Sequence, residues 1–214
     1  MSTTIYQEYP DADKGVLEIY KNIEGVQKKF FPQNIDELVS AVVNELSSDK
    51  FYDLDECQWN VEVESDDAVE RVEYVIGKIL HLVQQVDPPP RGKLLYCGTA
   101  SPEIMVPIII ESKSSDDLKV WRKLSHIVRY VINSQDSRRY VQALTVCGTK
   151  ARLWIYDRSG AFSSKPFDID KDWLRFVEVI LGYYMMTDSE LGFDSTIYYD
   201  EQTRQRYVKL PVIN

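Results

Sequence analysis

Residues 105–113 read MVPIIIESK, an apolar run that stops at Glu111-Ser112-Lys113. Side chains two apart on a strand share a face, so Glu111 and Lys113 are predicted to point the same way. A carboxylate and an ammonium so placed can hold a divalent metal beside a phosphodiester. They can equally form an ordinary ion pair at the rim of a sheet. Pro107 cannot donate to a β-ladder, which predicts an edge position or a bulge for it.

Downstream, 114–117 is SSDD, a helix start with acids favoured by the helix dipole. Leu118, Trp121, Leu124, Ile127, Val128 and Val131 follow at helical spacing, and the helix runs toward SQDSRRY at 134–140. YVQALTVCG at 140–148 and ARLWIYD at 151–157 read as hairpin strands joined near Gly148-Thr149. Asp157-Arg158-Ser159-Gly160 reads as a turn, with Asp157 accepting backbone hydrogen bonds and Gly160 supplying a positive φ. A final helix over 172–186 and a terminal hairpin over 196–213 complete the chain.

Upstream, KLLYCG at 93–98 reads as a strand. The Pro88-Pro89-Pro90 triplet ends a long amphipathic helix that Asp66 and Asp67 open. QWNVEVE at 58–64 alternates like a short strand. Asn34 with Glu37 predicts a capping box before a helix that carries Leu38, Val42 and Leu46 on one face. Residues 1–30 read as an N-terminal arm, leaving 31–214 as one globular domain. The order of elements predicts an α/β (α+β) fold with a mixed sheet flanked by helices.

Hydrophobic residues at 44% and aromatics at 12% supply core material. A net charge of -9 argues against a surface devoted to nucleic acid, while leaving room for a local basic patch. The three cysteines, Cys57, Cys97 and Cys147, form no CxxC pair, which disfavours zinc and disulfides and suggests a reducing compartment. No segment has the apolar length of a membrane span. The expectation is a cytoplasmic or nuclear protein without a membrane partner.

Helix, strands, ExK at a strand end, then helix and strand resembles the restriction-endonuclease-like PD-(D/E)xK fold. That resemblance implies Mg2+ or Mn2+ held by Glu111, with Lys113 as the catalytic amine. The adjoining strand KLLYCGT holds no acid, so Glu103, Asp87 or Glu73 would complete the metal shell. Outside that reading no cofactor is expected.

A second resemblance covers roughly residues 90 to 200. QDSRRYVQALTVCGTKARLWIYDRSG at 135–160, then Ser163-Ser164, PFDI, and Glu190-Leu191-Gly192-Phe193-Asp194-Ser195-Thr196, resembles the region upstream of the catalytic lobes in fungal-type protein kinases. It implies a kinase domain as partner, in cis or in trans. The sequence itself has no GxGxxG loop, no HRD and no DFG, the parts that clamp phosphates and metal in phosphoryl transfer.

Three functions follow as expectations. The first is a non-catalytic recognition, dimerisation or regulatory module on a nuclease-like fold, working with a kinase domain, another protein or a second copy. The second is a metal-dependent nuclease. The third binds nucleic acid without cutting it, through Gln135, Arg138, Arg139, Lys150 and Arg152. The plainer reading of Arg138 and Arg139 is helix capping plus a salt bridge to Asp136 or Asp157.

Overall fold

The computed structural model describes residues 3–7, 17–31, 34–61, 67–86, 95–97, 103–112, 117–200, 202–203 and 205–210. In chain order the elements are β1 (Thr3–Gln7), β2 (Leu17–Ile23), α1 (Val26–Phe30), α2 (Asp36–Ser48), β3 (Tyr52–Asp53), β4 (Gln58–Trp59), α3 (Ala68–Val86), β5 (Leu95–Cys97), β6 (Val106–Glu111) and α4 (Asp117–Ser134). There follow β7 (Tyr140–Cys147), β8 (Lys150–Asp157), β9 (Gly160–Ser164), β10 (Phe167–Asp168), α5 (Trp173–Met185), β11 (Ile197–Asp200) and β12 (Gln205–Val208).

One mixed sheet runs β1-β2-β9-β8-β7-β6-β5, with β10 also paired to β8. β5, β6 and β7 are parallel neighbours, whereas β7, β8 and β9 pair antiparallel. α4 is the crossover between parallel β6 and β7, the connection that such a pair requires. The expected mixed α/β architecture is present, with the five described helices flanking the sheet and the C-terminal helix and hairpin in place.

Strand alternation divides the core in two. Leu144, Val146, Leu153 and Ile155 face a layer built from α2, α3 and α5. Val141, Ala143, Trp154 and Tyr156 face the opposite way, onto Val120, Trp121, Leu124, Val128 and Val131 of α4. The apolar stripe read from residues 118–131 is therefore the seam between α4 and the sheet.

Four expectations change. β1 pairs with β2, β2 pairs parallel with β9, and Ile19 is buried, so residues 3–7 and 17–30 of the expected arm belong to the sheet and its packing. Pro107 lies in an interior strand. The β7 ladder begins only at Ile108, one residue later, so the missing N–H falls where that ladder has not started. No capping box forms at Asn34, since α2 starts after Ile35 with no side-chain cap. Its first-turn acids, Asp36 and Glu37, still complement the helix dipole. Gly160 does not take a positive φ; that conformation falls at Gly148, in the β7–β8 turn (φ 58). At the expected start of α3, Asp67 Oδ1 does accept from the Val69 N–H at 2.9 Å. Of the strand expected over 58–64, Gln58–Trp59 is present and 62–66 lie outside the described residues.

Candidate functional site

Glu111 closes β6 beside Cys147, the last residue of β7. The Gly148 N–H donates to the Glu111 carbonyl at 2.9 Å, which fixes the end of the strand. Its carboxylate shares a face with Ile109 and so meets α4, where Lys123 donates to Oε1 at 2.9 Å. The ammonium beside Glu111 is thus supplied by the crossover helix. Lys113 and Asp87 lie outside the described residues. Glu73 is exposed on α3 and Glu103 is exposed in a turn before β6. Among the described residues no group of three or more His, Cys, Asp or Glu side chains could hold a metal ion, and Glu73, Glu103 and Glu111 are not brought together as one such group.

Arg138 has a different role from either one expected for it. The side chain is buried. Nε donates to the carbonyls of Tyr140 (3.2 Å) and Leu191 (2.9 Å). Nη1 donates to the Ile104 carbonyl (3.3 Å) and to Gln135 Oε1 (2.8 Å), and Nη2 to the Met105 carbonyl (2.6 Å). The guanidinium also lies over the Phe193 ring, 4.8 Å from its centroid. Every one of these acceptors is neutral. Burial pulls the Arg138 pKa down to about 10, partly offset by Tyr140 and Asp188, so the group remains a cation at neutral pH. It joins three segments: the approach to β6, the entry to β7, and the loop after α5.

That loop is matched to it. Thr187 and Glu190 bond reciprocally: the Thr187 N–H donates to Glu190 Oε2 at 2.8 Å, and the Glu190 N–H to Thr187 Oγ1 at 3.3 Å. This is the geometry of a capping box. The Glu190 carbonyl then accepts from Gln142 Nε2 (2.8 Å) and from the Tyr140 hydroxyl (3.0 Å). The Arg139 N–H donates to the Gly192 carbonyl, and the Asp194 N–H to that of Ser137. The two stretches quoted above for the kinase-family resemblance, 135–142 and 190–194, therefore meet in space. Alternation from β7 places Arg138 on the face of Gln142 and Leu144, but both faces of β7 are buried, so alternation does not single it out.

The other candidates are spread out. Arg139 is exposed next to Arg138, while Lys150 and Arg152 lie toward the far end of the β7–β8 ladder. Lys150 pairs with Asp168 at 2.8 Å, and Arg152 Nη1 donates to Asn22 Oδ1 at 2.9 Å. Gln135 Nε2 donates to the Ile104 carbonyl. The structure does not gather these five residues onto one surface. The acceptor role read for Asp157 holds: its Oδ1 accepts from the Ser159 N–H, the Ser159 hydroxyl and the Gly160 N–H. Burial opposes ionisation of Asp157, yet these bonds hold the carboxyl below its ordinary value. Arg158 follows in that turn, exposed.

A further surface lies on the C-terminal hairpin. β11 and β12 form a separate two-stranded sheet, with the Tyr198 and Tyr207 rings stacked at 5.4 Å. Arg206 to Asp136, and the Lys209 N–H to the Thr196 carbonyl, hold the hairpin in place. Tyr198, Val208 and Leu210 are 52%, 60% and 76% exposed. No described helix is long and apolar enough to cross a membrane.

No curated protein and no solved structure matches the chain at a significant level. The family model described as "Fungal protein kinase" matches residues 99–211, just over half of the 214 residues, and this span holds the Arg138 junction, the Asp157 turn and the hairpin. The chain belongs to the fungal protein kinase family.

Proposed function

We propose that this domain is a non-catalytic recognition, dimerisation or regulatory module that works against a fungal-type kinase domain or another protein, including a second copy. The observation that carries this reading is the exposed apolar surface of the β11–β12 hairpin, with Tyr198 on one face and Val208 and Leu210 on the other, inside the family match. A lone two-stranded hairpin is marginal in water and gains from a covering partner. The absence of phosphate-clamping motifs from the sequence supports the same reading. Relation to the PD-(D/E)xK proteins belongs to this proposal as the origin of the scaffold, since a fold alone does not fix activity.

The test is sedimentation of the protein alone and mixed with a kinase domain of the family, beside a Tyr198→Ser/Val208→Ser/Leu210→Ser variant. Self-association or a complex lost in the variant is expected. A wild-type protein that stays monomeric and binds no kinase domain sinks the proposal.

A second reading, the metal-dependent nuclease, is favoured by one feature. Glu111 sits at the carboxyl end of parallel β6, where open α/β sheets commonly bind ligands. It needs a shell that the described residues do not supply. The third reading, nucleic-acid binding without cleavage, rests on Arg139 as the exposed member of the Arg138-Arg139 pair. It predicts salt-sensitive affinity reduced in Arg139→Ala.

A further inference from the structure

A groove of about 540 Å³ opens between the β2–α1 corner and α5. Arg175 reaches into its lining from α5 in an unusually fixed pose. The guanidinium lies over the Phe167 ring, 4.4 Å from the centroid. Its Nε donates to Gln27 Oε1 at 3.0 Å, and Gln27 is itself held by Nε2 donating to Glu178 Oε2 at 3.1 Å. The contact with the Phe167 ring and the Nε bond to Gln27 together hold the guanidinium in place. Among the described residues, neither Nη nitrogen meets a hydrogen-bond acceptor. An Arg fork held on one side and open on the other is arranged for two parallel bonds to an oxyanion.

The surrounding charge narrows the ligand. Lys165 and Lys28 also line the groove, beside Glu24 and Glu178, and Lys28 is itself engaged by a partner. Glu178 is occupied on one oxygen by Gln27. Glu24 is engaged by Lys165 at 2.6 Å, but both side chains are mostly exposed, so the pair is weak and readily exchanged. Releasing Lys165 toward a ligand therefore opposes little. A single carboxylate needs only the fork, whereas a phosphoryl dianion uses the fork and the flanking ammonium group.

We propose that this groove is a phosphoryl-binding site, with the Arg175 fork as its principal contact and Lys165 as its flanking charge. It is separate from both the Arg138 junction and the hairpin. Neither reading above assigns it.

Calorimetric titration of inorganic phosphate, and separately of acetate, into the 214-residue protein tests this. Saturable phosphate binding is expected, weakened about tenfold or more in Arg175→Lys, which keeps the charge and loses the fork. Thermal melting of the variant checks that the fold survives. Should it not, the Arg175 Nε–H resonance of the wild-type protein must shift on adding phosphate. No saturable phosphate binding overturns the proposal. So does equal binding by a folded Arg175→Lys, or acetate binding as tightly as phosphate.

Discussion

Arg138 donates through Nε to the Leu191 carbonyl at 2.9 Å, tying the entry of β7 to a loop 53 residues further along the chain. The same side chain reaches Ile104 and Met105 before β6. Parallel strands cannot be closed by a short turn, so β6 and β7 must be aligned by contacts distant in sequence. The guanidinium, with five donors in a rigid plane, satisfies carbonyls from all three segments at once. What holds this part of the family-matched region together is a buried cation on neutral acceptors.

Replacing Arg138 with Met takes this donor from the Met105 and Leu191 carbonyls, while Ile104 keeps the bond from Gln135 Nε2. The expected loss is at least about 3 kcal/mol, because each stranded acceptor retains its desolvation cost. Arg138→Lys keeps the charge but presents its donors from a single nitrogen, and should lose about 2 kcal/mol. Arg139→Ala, at the exposed neighbour, should stay within about 0.5 kcal/mol. Urea unfolding followed by circular dichroism separates the three. Equal stability of Arg138→Met and Arg139→Ala would contradict the role assigned to Arg138.

Gly192 makes the junction possible at close range. It has φ +100, and a Cβ added there would lie 2.1 Å from the Tyr140 carbonyl oxygen. Gly25 has a similar φ of +73 but open space around its Cβ position. Gly25→Ala should therefore cost about 1 kcal/mol, from left-handed backbone strain alone. Gly192→Ala adds a backbone clash and should cost about 3 kcal/mol or more. Paired thermal melts of the two variants measure the difference.

Asp168 couples the fold to acid. Burial opposes its charge, but Lys150 Nζ, the Lys171 N–H, Thr149 Oγ1 and the Asp170 N–H outweigh this and bring the pKa from 3.8 to about 2. Its folded pKa is the lower one, so its contribution is complete above the unfolded value. It is lost as pH falls through 3.8 toward about 2. With the side chain only 13% exposed, the contribution is about 2 kcal/mol. Asp168→Asn should flatten the stability-versus-pH curve in that window. A slope equal to that of the wild-type protein would refute the linkage.

Much of this was legible because the signal was local. The stripe from Trp121 to Val131 states a helix, and Gly148-Thr149 between two apolar runs states a hairpin. Asp157 before Ser159 and Gly160 states an Asx turn. What the sequence hid was long-range. β2 earns its place by pairing with β9, more than a hundred residues away, and a short mixed segment carries no mark of that partner. Arg138 and Arg139 are chemically identical in sequence, and only the distant Ile104, Met105 and Leu191 carbonyls mark which one is buried. Lys123 could not be read as a partner of Glu111 until α4 was laid across the sheet.

That choice gives the last prediction. Lys123 is 56% exposed and Glu111 29%, so their pair is a surface one. A double-mutant cycle with Glu111→Gln and Lys123→Met should give a coupling of about 0.2–1 kcal/mol. A structural ion pair of this kind predicts that Glu111→Ala leaves magnesium and manganese titrations unchanged. The nuclease reading predicts the opposite: heat of metal binding in the wild-type protein, abolished in Glu111→Ala and strengthened in Lys123→Met, where the competing ammonium is gone. Because only the nuclease reading changes metal binding in Lys123→Met, that variant separates a carboxylate held by its helix from one merely shielded by it.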